Sequence, residues 1–269
     1  MANIEKQMSE AIEYILNHLE EDLKVKDIAD YCHFSEFYFN RMFKTVVGES
    51  VYAFIKRRRI ERSAFDLTTK TDHSITEIAS QYGYSASNYS SAFKKHYDES
   101  PHDFKLTRGD KSPVPVRNYD YYNQRIRTEW LEPFSFLYER YVGPYSDMTH
   151  QWDDFIKRHA CLRTEESLYV EISYDDPVIT EENHCIYDLG MTAPAYMPDT
   201  LNVMTIPGGN YKVFRFEDTV DQLLSTFQGL FQVWFLQSNI DLHQGKIFQI
   251  YRSVDCETHF MVIDIYIPC

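Results

Sequence analysis

Asn40, Arg41 and Lys44 fall within a few positions of one another, with Phe37 and Tyr38, on a stretch that opens at Ser35. Fifty residues further on, Ser87, Asn88, Ser90, Ser91 and Lys94 take corresponding places after Ser85. An arginine fork bonds guanine O6 and N7 together and an asparagine amide does the same for adenine, whereas serine and lysine more often hold phosphate. On exposed helices these are candidate contacts to double-stranded DNA. A second chemistry gathers later in the chain: Tyr141, Tyr145, Trp152, Tyr187, Trp234 and Tyr251, with Asp264 as a carboxylate. Aromatic faces around one acid suit a small aromatic or cationic molecule, held by π-face attraction and an ion pair. Taken singly, each of these aromatics is better read as core.

The first set needs a rigid frame, and the chain supplies it twice. Shifted by 50 residues against itself, Ile28-Ala29 falls on Ile78-Ala79, Ser35 on Ser85, Phe43-Lys44 on Phe93-Lys94, Glu49-Ser50 on Glu99-Ser100 and Phe54 on Phe104. A self-match that keeps both apolar phase and punctuation marks two copies of one unit. In copy one, Val25–Cys32 reads as a helix and His33-Phe34-Ser35 as a break; Ser35 caps a helix to about Val47, closed by Gly48. Copy two repeats this with Ile75–Tyr82, Gly83-Tyr84-Ser85 and a helix to about Tyr97. Phe39, Met42, Phe43 and Val46 form one inward stripe, and Tyr89, Ala92, Phe93 and Tyr97 the other. Glu36 and the candidate contacts then point outward. Short helix, three-residue turn and capped helix make a helix-turn-helix.

The chain carries 27 Lys and Arg against 41 Asp and Glu, a net charge of −14. Residues 1–110 hold 15 of the bases and 18 of the acids (−3), and residues 111–269 the remaining 12 and 23 (−11). DNA affinity must therefore come from a local face, such as Lys56-Arg57-Arg58-Arg59-Arg62 or Lys94-Lys95. Residues 1–107 resemble the AraC/XylS-type DNA-binding domain. Ile28-Ala29, Ser35, Phe39-Asn40-Arg41-Met42-Phe43-Lys44, Gly48, the arginines at 57–59 and Ala64 carry the resemblance. It implies seven helices, with a helix around Val51–Leu67 bridging two recognition helices that enter successive major grooves about 34 Å apart. It also implies a transcription regulator, by preference an activator, with RNA polymerase as a partner. Ser91 stands where the family commonly has Arg, Glu36 would face phosphate, and copy two lacks a counterpart of Gly48. Specific base contacts are therefore expected chiefly from copy one.

At Thr107–Pro115 the periodicity stops at a glycine and two prolines, so the expected division is domain 1–107, linker 108–118 and domain 119–269. Strand-like runs then begin at Gln124, Phe134, Leu168, Cys185, Asn202, Tyr211, Lys246 and His259, with amphipathic helices at Tyr145–His159 and Thr219–Gln237. Shifted by about 75, Phe136 falls on Tyr211, Arg140 on Arg215, Trp152 on Phe227 and Phe155 on Leu230; one residue further, Asp188 falls on Asp264. The expected architecture is an all-α double helix-turn-helix domain followed by an α+β domain of two β-α-β-β pseudo-repeats with a central cleft. Alternation puts Asp264 with Val262 and Tyr266, opposite Ile263, Ile265 and Ile267, facing cleft or solvent.

Residues 116–269 resemble the GyrI-like effector-binding domain. Tyr141-Val-Gly-Pro-Tyr145, Ile206-Pro-Gly-Gly-Asn-Tyr-Lys-Val-Phe214, the aromatic helix ending in Trp234, Phe248-Gln-Ile-Tyr251 and Val262-Ile-Asp-Ile-Tyr-Ile-Pro268 carry it. Asp264 stands where the family usually has Glu. The domain order is that of Rob-type multidrug-responsive regulators. Five scattered cysteines without a CxxC, no apolar run long enough to span a membrane and no signal-peptide core point to the cytoplasm. There is no HExxH, no phosphate-cradling glycine loop and no GxSxG, and Cys256 with His259 is an isolated pair. No metal, cofactor or catalytic residue is expected. The reading is a regulator, not an enzyme. Its rivals are a ligand-sequestering protein and a hydrolase that pairs Tyr251 with Asp264.

Overall fold

Serine side chains open the helices of the first unit at matching places in its two copies. Ser35 Oγ accepts from the Tyr38 amide and Ser85 Oγ from Asn88; Ser50 and Ser100 serve Ala53 and Asp103 in the same way. Each such cap contributes about 1 kcal/mol. The computed structural model describes residues 2–70, 72–108, 117–198, 200–238, 240 and 245–269. It divides into two compact units, Met1–Lys111 and Ser112–Cys269. Most of the expected linker 108–118 lies outside the described residues.

The first unit is built from α1 (Ala2–Asn17), α2 (Val25–Tyr31), α3 (Glu36–Val47), α4 (Val51–Thr69), α5 (Ile75–Gln81), α6 (Ala86–Tyr97) and α7 (Pro101–Arg108). Between α2 and α3, His33 takes a left-handed conformation at φ 60°, as Gly83 does between α5 and α6 at φ 76°. In both turns the next amide bonds back over 2.9 Å, Phe34 to Ala29 and Tyr84 to Ala79. Gly48 closes α3 at φ 90°, and Asp98 holds the same left-handed place after α6 at φ 58°. Aspartate is among the few residue types besides glycine that tolerate it, which is how copy two manages without the glycine.

The cores match as well. Phe43 meets Phe54 edge-on at 5.3 Å, and Phe93 meets Phe104 edge-on at 5.1 Å. Copy two adds polar ties to α4: the Tyr82 hydroxyl donates to Asp66 (2.7 Å) and the Tyr89 hydroxyl to Ser63 (2.9 Å). Two expectations need correction. Val46 is 46% exposed, so the inward stripe of α3 narrows to Phe39 and Phe43 with Met42 half-buried. The basic run on α4 is mostly internal. Arg57 bonds Glu49 and Glu61, buried Arg58 bonds Glu61, and Arg59 donates to the carbonyls of Leu19 and Glu21 beyond α1. Arg57 and Arg58 are therefore spent inside the unit, and Arg59 is tied to it from one side.

The second unit contains α8 (Tyr119–Asn123), β1 (Ile126–Leu131), β2 (Phe134–Val142), α9 (Met148–Arg158), β3 (Tyr169–Ser173), β4 (Ile186–Thr192), β5 (Asn202–Ile206), β6 (Gly209–Thr219), α10 (Leu223–Gly229), α11 (Leu236–Ser238), β7 (Phe248–Val254) and β8 (Phe260–Pro268). The strands form one antiparallel sheet in the order β1-β6-β8-β7-β3-β4-β2-β5. Its middle is two three-stranded modules, β6-β8-β7 and β3-β4-β2, joined where β7 pairs with β3. The outer strands are exchanged, with β5 extending the first half and β1 the second. Between α10 and α11 the helix widens into a π-turn at Leu230–Phe235. Helical periodicity does not register such a widening.

Alternation assigns the faces. Phe155 of α9 packs on Leu137 and Met191, while Phe214, Ile263, Ile265 and Ile267 pack with Leu230 and Trp234. The opposite face is a second core of Phe136, Tyr138, Val170, Ile250, Tyr211, Phe248 and Tyr266. The sheet curls around it until Phe134 on β2 lies 6.2 Å from Phe248 on β7. Register sets a bidentate ion pair at the same place in each half. Arg140 on β2 faces Asp188 on β4, and Arg215 on β6 faces Asp264 on β8. The two bonds are 2.7 Å each in the first pair and 2.9 Å each in the second.

Close approach fixes Gly190 at the centre of β4, where a Cβ would lie 2.0 Å from the Leu137 carbonyl oxygen and 2.6 Å from the Phe136 ring. Gly190→Ala is expected to lower unfolding stability by about 1–3 kcal/mol through overpacking. Urea unfolding of the whole chain checks this; an unchanged midpoint contradicts the packing described.

Candidate functional site

On α3, Ser35 fixes the first turn and the buried Phe39 and Phe43 fix the rotation, so Phe37 stands 82% exposed with Arg41 and Lys44 beside it. Neither Arg41 nor Lys44 has a side-chain hydrogen bond or ion pair among the described residues. Tyr38 is partly exposed and its ring lies 5.3 Å from Phe34. Asn40 is half-buried and donates to the Glu36 carbonyl at 3.0 Å, so its amide is engaged within its own helix. On α6, Ser87, Asn88, Ser90, Ser91 and Lys94 are all exposed, and the Ser91 hydroxyl donates to the Ser87 carbonyl at 3.0 Å. The two recognition faces differ in kind. Copy one offers an unpaired guanidinium and a large aromatic; copy two offers small hydroxyls, an amide and a lysine.

In the second unit the structure brings Tyr141, Tyr145, Trp152, Tyr187 and Tyr251 to the helix side of the sheet, near the junction of the halves. Tyr187 is the middle of a tyrosine ladder, stacked on Tyr141 at 5.9 Å and tilted to Tyr145 at 5.1 Å. Its hydroxyl donates to Gln151 at 2.6 Å, and burial pushes it up to about 12. Trp152 meets Tyr251 at 5.4 Å and Tyr169 at 5.9 Å, both edge-on. Trp234 stands apart: it is buried in the second half's core and its indole N–H donates to Asn123 at 3.3 Å.

Asp264 lies on the opposite face, fully buried. Burial alone would raise its pKa. The hydrogen bonds from Arg215 and Arg252 and the charge of Arg127 outweigh that and hold it at about 2. Three arginines surround it, and it does not join Tyr141, Tyr145, Trp152, Tyr187 and Tyr251 on the helix side. Tyr251 and Asp264, paired in the hydrolase reading, are on opposite faces, because Tyr251 pairs in register with Ile263 and Asp264 with Ile250.

Two carboxylates do meet the aromatics: Glu139, which accepts from the Tyr141 hydroxyl at 2.6 Å and is paired with Arg158 and His159, and Glu171, which was not anticipated. Glu171 sits on β3 directly opposite Gln249 on β7, where the halves join. Glu171 is 3% exposed and accepts from Ser173 Oγ (2.7 Å), Gln249 Nε2 (2.9 Å) and the Tyr251 hydroxyl. No Lys, Arg or His pairs with it among the described residues. Burial raises its pKa, and the three donors offset only part of that. Burial, then the adjacent Glu171 charge, carries Tyr251 well above the ordinary phenol value. Gln249 Oε1 and the Trp152 indole nitrogen are buried without a hydrogen-bond partner among the described residues. The alternation of Tyr169-Val-Glu-Ile-Ser173 was a usable signal for an inward acid; the facing Gln249 follows only from strand register.

Among the described residues no cluster of His, Cys, Asp and Glu is arranged to hold a metal, and no helix is long and apolar enough to cross a membrane. Residues 7–106 match the family described as a helix-turn-helix domain, and residues 124–269 match the GyrI-like small molecule binding domain. The regulatory protein SoxS of Salmonella typhimurium is 33% identical over 95 residues, 35% of this chain and 88% of SoxS. The regulatory protein PocR of the same organism is 31% identical over 112 residues, 41% of this chain and 37% of PocR. The solved DNA-binding domain of AdpA with a target DNA is 22% identical at a TM-score of 0.38, covering 41% of this chain and 99% of that one. Several longer relatives are matched over a third of their length or less.

A buried acid that prefers its proton when folded makes stability depend on pH. That preference is fully present below the unfolded pKa, near 4.5, and is lost as pH rises through the raised folded value. Glu171→Gln is therefore expected to unfold at higher temperature than the parent chain at pH 8, with the gap closing toward pH 4.5. Thermal unfolding across that range checks it; a gap independent of pH contradicts the assignment.

Proposed function

The chain belongs to the AraC-type helix-turn-helix family through residues 7–106 and to the GyrI-like small-molecule-binding family through residues 124–269, and from that premise we propose a sequence-specific transcription regulator, by preference an activator working with RNA polymerase. It is not read as an enzyme. The observation that carries this reading is the doubled helix-turn-helix with Arg41 exposed and unpaired on the first recognition helix. Arg41 is the base reader in this proposal, with Phe37 packing beside it and Lys44 on phosphate. Asn40 supports the face through its bond to Glu36. Copy two, through Ser87, Asn88, Ser90, Ser91 and Lys94, contributes chiefly backbone contacts.

The effector in this proposal is a small aromatic cation. Glu171 supplies the negative charge, and Tyr145, Trp152, Tyr187 and Tyr251 supply ring faces. What supports it is a buried carboxylate with three neutral donors and no cation of its own. A cation bound there would favour the ionised carboxylate that burial alone disfavours, and would displace no cation of the chain among the described residues. Effector binding changes the activity of the DNA-binding unit.

Random duplex DNA selected on the purified chain is expected to yield an enriched motif. Arg41→Ala is expected to lose preference at one base position, a cost of about 1–3 kcal/mol. Enrichment that survives in the variant removes Arg41 as the reader, and no enrichment with the parent chain overturns the regulator reading.

A further inference from the structure

A groove of about 510 Å³ runs between α4 and α6 in the first unit. Three cations line it: Lys56 and Arg59 from α4 and Lys95 from α6. The remaining lining contributes the Tyr52 hydroxyl, Asn88 and Ser91, and contains no Asp or Glu. This is unusual in a chain of net charge −14. The other arginines of α4 are engaged elsewhere, Arg57 and Arg58 in ion pairs with Glu49 and Glu61 and Arg62 against the Phe65 ring. Lys56 and Lys95 are exposed and have no hydrogen-bond or ion-pair partner among the described residues. Arg59 is held from behind by the carbonyls of Leu19 and Glu21, so its charge is fixed in place. Tyr52 is 71% exposed at the lip.

We propose that this groove is a phosphodiester site for the DNA backbone between the two major-groove contacts, with Lys56 and Lys95 as its charges and Tyr52 as a hydroxyl donor. The inference rests on the DNA-binding reading and adds a contact from the bridging helix. Position on α6 supports it. Asn88, Ser91 and Lys95 form the flank next to the outward stripe of Ser87, Ser90, Ser91 and Lys94, so Ser91 borders both surfaces. The other wall is α4, the helix that links the two copies in sequence. A strand leaving the groove read by α6 toward the one read by α3 passes this flank. Copy one has no equivalent, because Asn88, Ser91 and Lys95 correspond there to Tyr38, Arg41 and Thr45.

The test measures affinity for the selected duplex from about 50 to about 200 mM salt. It compares the whole chain, the double variant Lys56→Gln with Lys95→Gln, and Lys157→Gln in the second unit as a control for lost charge. Each phosphate contact removed is expected to flatten the plot of log K against log salt by about 0.9. The double variant should therefore flatten by about 1.8, lose affinity equally on selected and random duplexes, and select the same motif as the parent. Lys157→Gln should leave the slope unchanged. A double variant with the parent slope, while the parent still selects its motif, overturns the groove proposal alone. A parent chain that selects no motif overturns the DNA reading beneath it. Saturable binding of inorganic phosphate that the double variant loses, with the DNA slope intact, assigns the groove to a free anion and also overturns the proposal.

Discussion

Each half of the eight-stranded sheet buries an aspartate against an arginine directly across the ladder, and that neutralisation determines what the other buried acids are free to do. Removing one partner from a fully buried pair costs about 3–5 kcal/mol, because a naked charge stays behind in low dielectric, and less where the arginine is solvent-exposed. Arg140 with Asp188 and Arg215 with Asp264 occupy matching register positions. The first pair is sealed, with Tyr174 donating to Asp188 and Lys246 reaching the Tyr174 hydroxyl. The second is more open, with Arg127 and Arg252 joining Arg215 on one carboxylate. Both lie on the face turned away from the helices. On the helix side Glu139 is paired with Arg158 and His159, whereas Glu171 is held by hydroxyl and amide donors alone among the described residues. The near-symmetry of the halves ends at the point where they meet, with a carboxylate on one side and the neutral Gln249 on the other.

The same sorting governs the helical unit. Its bridging helix is rich in arginine, yet Arg57, Arg58 and Arg59 face carboxylates or carbonyls of the unit itself. Cations left exposed for an anionic partner include Arg41 and Lys44 on one recognition helix, Lys94 and Lys95 on the other and Lys56 on α4. A unit with a small net negative charge binds DNA only through such a local face, and its affinity must then depend steeply on salt.

Most of the frame was legible in the chain because it is written twice. The 50-residue self-match located turns and caps to within a residue, and the rings it aligned, Phe43 with Phe93 and Phe54 with Phe104, make equivalent contacts in the two copies. The eight strands were legible from alternation, including which side of β8 carries Asp264. Alternation names a side but not its neighbours. It therefore left Asp264 open as a ligand group when three arginines already surround it, and it left Glu171 unremarked within a short apolar run. The second self-match already aligned Arg140 with Arg215 and Asp188 with Asp264. Opposite charges kept together in both copies were the evidence that these residues pair with each other. Basic clustering failed for a related reason: adjacent arginines on a helix point in different directions, and only packing shows which of them reach solvent. The short helix α8 carries no periodic signal at five residues.

In the proposed function Glu171, not Asp264, carries the negative charge available to an effector. Calorimetric titration of an aromatic quaternary ammonium compound and its uncharged carbon isostere tests it most directly, using the whole chain, Glu171→Gln and Asp264→Asn. The account predicts that the parent chain favours the cation, that Glu171→Gln binds cation and isostere alike, and that folded Asp264→Asn keeps the preference. A cation preference that survives in Glu171→Gln and disappears in Asp264→Asn contradicts the account.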